Sequence, residues 1–345
     1  MNRFAKLKRL GFFTRLLDDA APAERYRLAT EQILHAEKAG LDSAWIAQHH
    51  FHEGEGGLPS PFAFLGFVAA RTSRIRLGTG IVTLPLEHPV RVAEDAAVLD
   101  LLSGGRLELG LGTGGNPSAF ASFGLDSAQR AEIFARNLDI VRKALGGMTL
   151  PGGDMIYPPG PQLCDRIWQA TFSVSGGARA GRAGDGLLLS RTQPRSKDAP
   201  RASLAEIQDP IIDAYLEALP RGCQPRIMAS RSVFVADDRK EALRLADIGL
   251  RRAREHFIAG GHAPPGDTLS EMITAFDVHV GTADDVIDSL RADSTLQRVT
   301  DLVFQAHSID PPHPFILRSI DLMASVVAPV LGWTSEAEAE APVAN

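Results

Sequence analysis

The chain has 345 residues, 44% of them hydrophobic and 23% charged, the balance of a globular protein long enough for one large α/β unit. Its 36 basic and 42 acidic side chains leave a net charge of −6, too acidic for the surface a nucleic-acid partner needs. No apolar run reaches the roughly 20 residues that cross a bilayer, and the basic residues Arg3, Lys6, Lys8 and Arg9 precede no secretory apolar core. Two cysteines, Cys164 and Cys223, read as unpaired thiols of a cytoplasmic protein. The histidine cluster His49-His50-x-His52 lacks zinc spacing, so no metal is expected.

A short first strand is expected over 10–13 and an amphipathic helix over 23–39, ended by Gly40. Strand two covers 43–47. A loop rich in His, Glu and Gly follows over 48–57, then a helix over 59–71. The β-branched run 75–82 reads as a strand buried on both faces. His88-Pro89 opens the next helix, because proline at the first helical position loses no hydrogen bond, and Ser103-Gly104-Gly105 ends it. Strand four is 106–111, followed by a glycine-rich loop over 112–124 and a helix over 127–145. The Gly- and Pro-rich stretch 146–162 reads as a long loop.

Strand five (167–172), helix five (175–183) and strand six (186–189) come next. The polar stretch 191–201 reads as an exposed, mobile loop. Helix 204–219, strand 226–235 and helix 238–259 follow. An insertion over 260–280 carries Pro264-Pro265-Gly266, with a short additional helix over 282–290. Strand 301–305 and helix 315–331 close the series, and 336–345 reads as a frayed tail. Eight strands alternating with eight helices predict a parallel (β/α)8 TIM barrel. The rival, an open doubly wound sheet, would carry a dinucleotide fingerprint at its first βα turn, and none is present.

In such a barrel the chemistry sits at the C-terminal ends of the strands. His49 and His50 end strand two, and a histidine near neutral pKa serves as acid or base. Gly80-Ile81 ends strand three. Gly112-Thr113-Gly114-Gly115 follows strand four and leaves backbone N–H groups open to an anion. Ser173-Val174-Ser175-Gly176-Gly177 opens helix five, where hydroxyls and free N–H groups form an anion site. Ser190-Arg191 ends strand six.

Two blocks carry a family likeness: Trp45-Ile46-Ala47-Gln48-His49-His50-Phe51, and His88-Pro89-Val90-Arg91 with Glu94-Asp95, Leu99-Asp100, Ser103-Gly104-Gly105-Arg106 and Gly110-Leu111-Gly112. With their spacing they resemble the bacterial luciferase-like flavin monooxygenases, over roughly residues 10–191. The resemblance implies one barrel domain over 1–335 with insertions in its βα loops and a flexible tail over 336–345. It implies reduced FMN as co-substrate, delivered by a separate flavin reductase, and O2 adding to the flavin C4a position to give a peroxide. The substrate would be a small organic molecule such as an aldehyde, and the assembly a homodimer.

By the same resemblance His49 is the catalytic residue. Gly80 and Ile81 form a non-proline cis peptide against the flavin ring. Gly112, Thr113 and Gly114 flank the cofactor, Arg130, Ser173, Ser175, Gly176 and Gly177 hold its phosphate, and Ser190 faces flavin or substrate. The chain departs from the family pattern at Thr113, where many members are basic, and at Gln48, where a glutamate is frequent, so a carboxylate beside His49 is missing from the motif. His50 is expected to meet Glu94 of a second copy, against the plainer pairing of Glu94 with Arg91 one helix turn away. The alternatives are deazaflavin-dependent hydride transfer and a non-catalytic flavin-binding protein. Loops 146–162, 191–201 and 260–280 are the expected determinants of substrate.

Overall fold

The computed structural model describes residues 8–196, 198–259 and 266–333; Arg3, Lys6, Pro264, Pro265 and the expected tail 336–345 lie outside them. Strands β1 (Arg9–Thr14), β2 (Ser43–Ile46), β3 (Arg76–Thr79), β4 (Val82–Thr83), β5 (Leu107–Gly112), β6 (Ile167–Ala170), β7 (Gly186–Leu189), β8 (Ile227–Val235), β9 (Val278–Gly281) and β10 (Asp301–Gln305) are all paired in parallel. The ring runs β1-β2-β3-β5-β6-β7-β8-β10, and β10 closes it by pairing with both β8 and β1. This is the expected (β/α)8 barrel, with all eight predicted strands in place. Helices α1 (Pro22–Lys38), α2 (Pro61–Ala69), α3 (Pro89–Leu102), α4 (Pro117–Ser122), α5 (Arg130–Leu145), α6 (Val174–Ala183), α7 (Leu204–Ala218), α8 (Arg239–Ala259), α9 (Leu269–Ala275), α10 (Ala283–Ala292), α11 (His313–Leu322) and α12 (Ala328–Val330) accompany it. None is long and apolar enough to cross a membrane. Cys164 and Cys223 are unpaired.

Four departures from the predicted elements have local causes. The expected strand 75–82 breaks into β3 and β4 at Gly80–Ile81, whose peptide bond is cis. Helix α4 lies inside the expected loop 112–124; Asn116-Pro117 marks its start, for Asn116 Oδ1 accepts from the N–H groups of Ser118 and Ala119. The described part of the insertion, from residue 266, folds as α9 and β9, and β9 pairs with the second half of β8 away from the ring. The final helix is interrupted by a π turn over Met323–Val327, ahead of Pro329, whose missing N–H breaks the regular ladder.

The barrel interior explains several strand glycines. Trp45 and Trp168 fill it with their rings edge to face, 5.8 Å apart at 89°, among Leu188, Met228 and Val303. A Cβ on Gly78 would stand 2.2 Å from the Trp45 ring, and one on Gly186 would stand 2.1 Å from the Trp168 ring. Polar groups at the strand N-termini satisfy the indoles: Trp45 Nε1 donates to Ser43 Oγ (3.0 Å) and Trp168 Nε1 to Glu108 Oε2 (2.6 Å). Glu108 also pairs with Arg76 (2.5 Å), and Asp301 with Arg9 (2.8 Å), so ion pairs close this end. The residues packed above the tryptophans are Phe13, Ile81 and Ala170, each only partly buried.

Gly78→Ala and Gly186→Ala should each overpack this layer and cost about 1–3 kcal/mol. Urea unfolding would read that as a lower midpoint; an unchanged midpoint in both would contradict the interior packing.

Candidate active site

His49 follows β2 and is held from both sides. A guanidinium can only donate, so Arg15 Nη2, 3.0 Å from His49 Nε2, makes that nitrogen the acceptor. The proton therefore sits on Nδ1, which faces Glu55 Oε2 at 3.4 Å. Burial lowers the His49 pKa first of all, and the charge of Arg15 acts the same way; the hydrogen bond to Glu55 opposes both without reversing the direction. The imidazole is neutral at pH 7, with its lone pair directed at Arg15.

Glu55 supplies the carboxylate that Gln48 withholds. Asn116 Nδ2 donates to both Glu55 oxygens at 3.1 Å, tying the β2–α2 loop to the start of α4. Gln48 is instead a strut: its amide donates to Glu87 (2.7 Å) and to the Pro59 carbonyl (3.0 Å), and accepts from Thr83 N–H (2.7 Å). Arg15, Glu55 and Asn116 were not singled out from sequence. Arg15 had a usable signal, because it directly follows a barrel strand.

Gly80, Ile81, Gly112 and Ala170 meet at the ends of β3, β5 and β6. A Cβ on Gly112 would stand 2.9 Å from Ile81 and 3.5 Å from Ala170; one on Gly80 would stand 2.6 Å from Phe13. Gly114 has φ +68 and closes over Thr83, while Thr113 is half-buried.

At the start of α6, Ser173 is the N-cap. Its Oγ accepts from Gly176 N–H (3.1 Å) and lies 3.2 Å from Ser175 Oγ. Gly177 N–H bonds to the Ser173 carbonyl. The N–H groups of Val174 and Ser175 have no acceptor among the described residues, and both side chains are exposed. Gly177 also lets α6 lie close to α7, since a Cβ there would stand 2.5 Å from the Ile211 carbonyl, as one on Gly181 would stand 2.3 Å from that of Tyr215. Arg130 is exposed and donates to the Ser127 carbonyl (2.9 Å), with no hydrogen bond to the Ser173 turn among the described residues. The Ser190 carbonyl accepts from Gln208 (2.8 Å).

The loop after β7 is exposed at Pro194, Ser196 and 198–201, as expected, but two of its residues are anchored. Gln193 is buried, and Arg195 grips Asp277 through two bonds of 2.7 and 2.8 Å. Arg191 Nη1 donates to Ser232 Oγ (3.2 Å) and Ser308 Oγ (3.1 Å). His307 Nδ1 donates to Asp310 Oδ2 (2.7 Å); burial brings the His307 pKa down to about 4, so this ring too is neutral. Non-glycine residues with positive φ gather in these loops: Leu16 (57°), Phe51 (68°), Asp277 (51°) and Asp310 (46°). Such backbone costs about 1–3 kcal/mol per residue and concentrates at functional sites. His307–Ser308 is a second non-proline cis peptide, which nothing in the sequence announced.

His50 and Glu94 are not brought together within the chain. Arg91 holds Glu94 (2.7 Å) and Asp95 (2.5 Å), the plainer of the two expected pairings. His50 Nε2 is buried without a hydrogen-bond partner among the described residues, and its ring lies 5.0 Å from Phe123.

His49 should titrate below 6.5. Because the Glu55 carboxylate favours the imidazolium, Glu55→Gln should lower the value further. NMR of the His49 ring protons checks both; a wild-type value at or above 6.5 would contradict the geometry.

Residues 10–298 match the luciferase-like monooxygenase family. The 4-hydroxyprotoasukamycin monooxygenase of Streptomyces nodosus subsp. asukaensis is 32% identical over 270 residues, 73% of this chain and 72% of that protein. An F420-dependent glucose-6-phosphate dehydrogenase of Amycolatopsis mediterranei is 30% identical over 223 residues, 57% of this chain and 66% of its own length. Among solved structures, the oxygenating constituent of 3,6-diketocamphane monooxygenase from Pseudomonas putida, in complex with FMN, superimposes with a TM-score of 0.71 at 20% identity, covering 94% of this chain and 98% of its own. The barrel, its rim and these matches lead to one conclusion: this chain belongs to the luciferase-like monooxygenase family.

Proposed function

We propose that the chain is an FMN-dependent monooxygenase that uses reduced flavin and O2 to oxidise a small organic substrate. The observation that carries this reading is the Ser173 turn: two hydroxyls and two unclaimed N–H groups at a helix start, beside a floor of small residues at Gly80, Gly112 and Ala170. Residues 171–177 include no lysine or arginine. Neutral donors suit one phosphate ester better than the longer acidic tail of a deazaflavin, which is the second reading that the F420-dependent relative keeps in view. When bound, the reduced flavin supplies the electrons that activate O2, one oxygen atom going to the substrate and the other to water.

The chain's own residues divide the work in this scheme. Ser173 and Ser175, with the first turn of α6 and its buried Gly176 and Gly177, hold the phosphate; Arg130 adds charge from the surface. Gly80, Ile81, Gly112, Thr113 and Gly114 lie along the ring, and Ser190 borders the substrate. Phe13, Ile81 and Ala170 keep water from the floor. His49 takes a proton at Nε2 once Arg15 lets go of it, and Glu55 holds Nδ1–H throughout. A separate flavin reductase in the cytoplasm would supply the reduced FMN. A second copy of the chain would cover Phe67, Val98, Leu101 and Leu102, exposed side by side on α2 and α3, and would bring Glu94 to the unpartnered His50.

The direct test mixes purified protein with reduced FMN, and separately with reduced F420, before adding O2. Binding of F420 without FMN would sink the reading. Ser173→Asp retains a helix cap but sets a carboxylate against the phosphate, so it should fold normally and bind FMN at least about tenfold more weakly. His49→Ala should keep FMN affinity while turnover falls about 10²–10⁴-fold; equal turnover would remove His49 from the chemistry. Leu102→Asp should shift sedimentation from dimer to monomer.

A further inference from the structure

Two guanidinium groups stand at the barrel mouth, and that of Arg191 reaches toward β8 and β10. Arg15 follows β1 and Arg191 follows β7, and the strands between them on the ring are β8 and β10. The same arc supplies Ser232, Gln305, His307 and Ser308. Arg15, Gln305, His307 and Asp310 share a cleft of about 30 Å³.

Neither guanidinium has a carboxylate in ion-pair contact among the described residues. Arg191 spends Nη1 on two serine hydroxyls, and its Nε and Nη2 have no acceptor among the described residues. Arg15 Nε is buried and unpartnered, and its Nη2 serves His49 and the Glu55 carbonyl. The acids nearby are already engaged: Asp310 by His307, Glu55 by His49 and Asn116, Asp277 by Arg195, and Asp18, which lines the same cleft, by Gln32. Arginines that hold the fold look different. Arg166 pairs with Asp100 (2.7 Å), Arg231 with Asp293 (2.5 Å), and Arg106 is saturated by backbone carbonyls. Burial, followed by the charge on Arg15, brings the Arg191 pKa down to about 9, so the protein itself gives that cation little compensation.

The edge of Arg191 left over is the Nε–Nη2 side. Two parallel N–H donors match the two oxygens of a carboxylate, and a guanidinium binds such a group in fork geometry. We propose that Arg191, supported by Arg15, seats the carboxylate of an organic-acid substrate on the β7–β8–β10–β1 arc. This rests on the flavin-oxidoreductase reading for the identity of the occupant as substrate. It changes the expected substrate class from a neutral aldehyde to an acid.

Calorimetry on the full-length protein without flavin would compare benzoate, phenylacetate and octanoate with benzamide, phenylacetamide and octanamide. At least one acid should bind, at least about tenfold tighter than its amide, as a charge-assisted hydrogen-bond pair requires. Arg191→Met should erase the preference at unchanged thermal midpoint, and Arg191→Lys, which keeps the charge but loses the fork, should restore it only in part. The proposal is overturned if none of the acids binds, if the amides bind equally well, or if Arg191→Met keeps the preference. FMN affinity is measured alongside by fluorescence quenching. Its loss in Arg191→Met would assign the guanidinium to the flavin and overturn the proposal. Failure of wild-type protein to bind FMN, with acid preference intact, would sink the flavin reading alone.

Discussion

The packing of Trp45 and Trp168 against glycine backbone decides where this molecule can work. Two indoles at right angles occupy the lower barrel, and they fit because Gly78 and Gly186 offer no Cβ in their path. Their N–H groups turn toward the strand N-termini, where Ser43 and Glu108 accept them and the Arg76–Glu108 and Arg9–Asp301 pairs seal that end. A barrel stoppered below has only its C-terminal face left for ligands. The residues resting on the tryptophans are then apolar, Ala170, Ile81 and Phe13, and they form the floor of that face.

The loops above this floor are not loose decorations. Asn116 of one loop holds Glu55 of another, Glu55 holds His49, and His49 takes its second bond from Arg15 of a third. Across the mouth, Arg195 fixes the β7–α7 loop to Asp277 at the start of β9, while Arg252 of α8 reaches the Ile309 carbonyl. The side layer of α8, α9 and β9 has its own core around Phe234, Leu250, Met272 and Phe276. Its use is to support rim loops from outside: Gly249 lets α8 approach the Ile309 backbone so closely that a Cβ would stand 1.9 Å from the carbonyl oxygen. Positive φ at Asp277 and Asp310 persists because this layer determines both positions.

The strands were legible because their signals are local. A β-branched run, a proline at a helix start and a glycine after its end each specify one element, and all eight barrel strands followed from such marks. His49, Gly80, Ile81 and the Ser173 turn were legible through strand ends and through the family likeness. Arg15, Glu55, Asn116 and Arg191's two serines were not, since they come from the loops after four different strands and from β8 itself and meet only once the ring has closed. Gln48 illustrates the limit. Its substitution suggested a missing charge at His49, yet the charge is supplied seven residues on by Glu55, while the Gln48 amide binds Glu87, Pro59 and Thr83 together.

The electrostatics of the mouth follow from the same closure. His49 and His307 are both half-buried and neutral, each donating an Nδ1–H hydrogen bond to a carboxylate, so the carboxylates keep their charge and the rings do not gain one. A neutral imidazole can accept a proton at its free nitrogen, which agrees with the base role proposed for His49 and leaves positive charge to the arginines. Arg15 joins the two functions. One of its nitrogens occupies the His49 lone pair, and its own charge disfavours that of Arg191. An anion drawn to Arg15 would loosen its hold on His49 Nε2, so arrival of an acidic ligand and exposure of the base become one event.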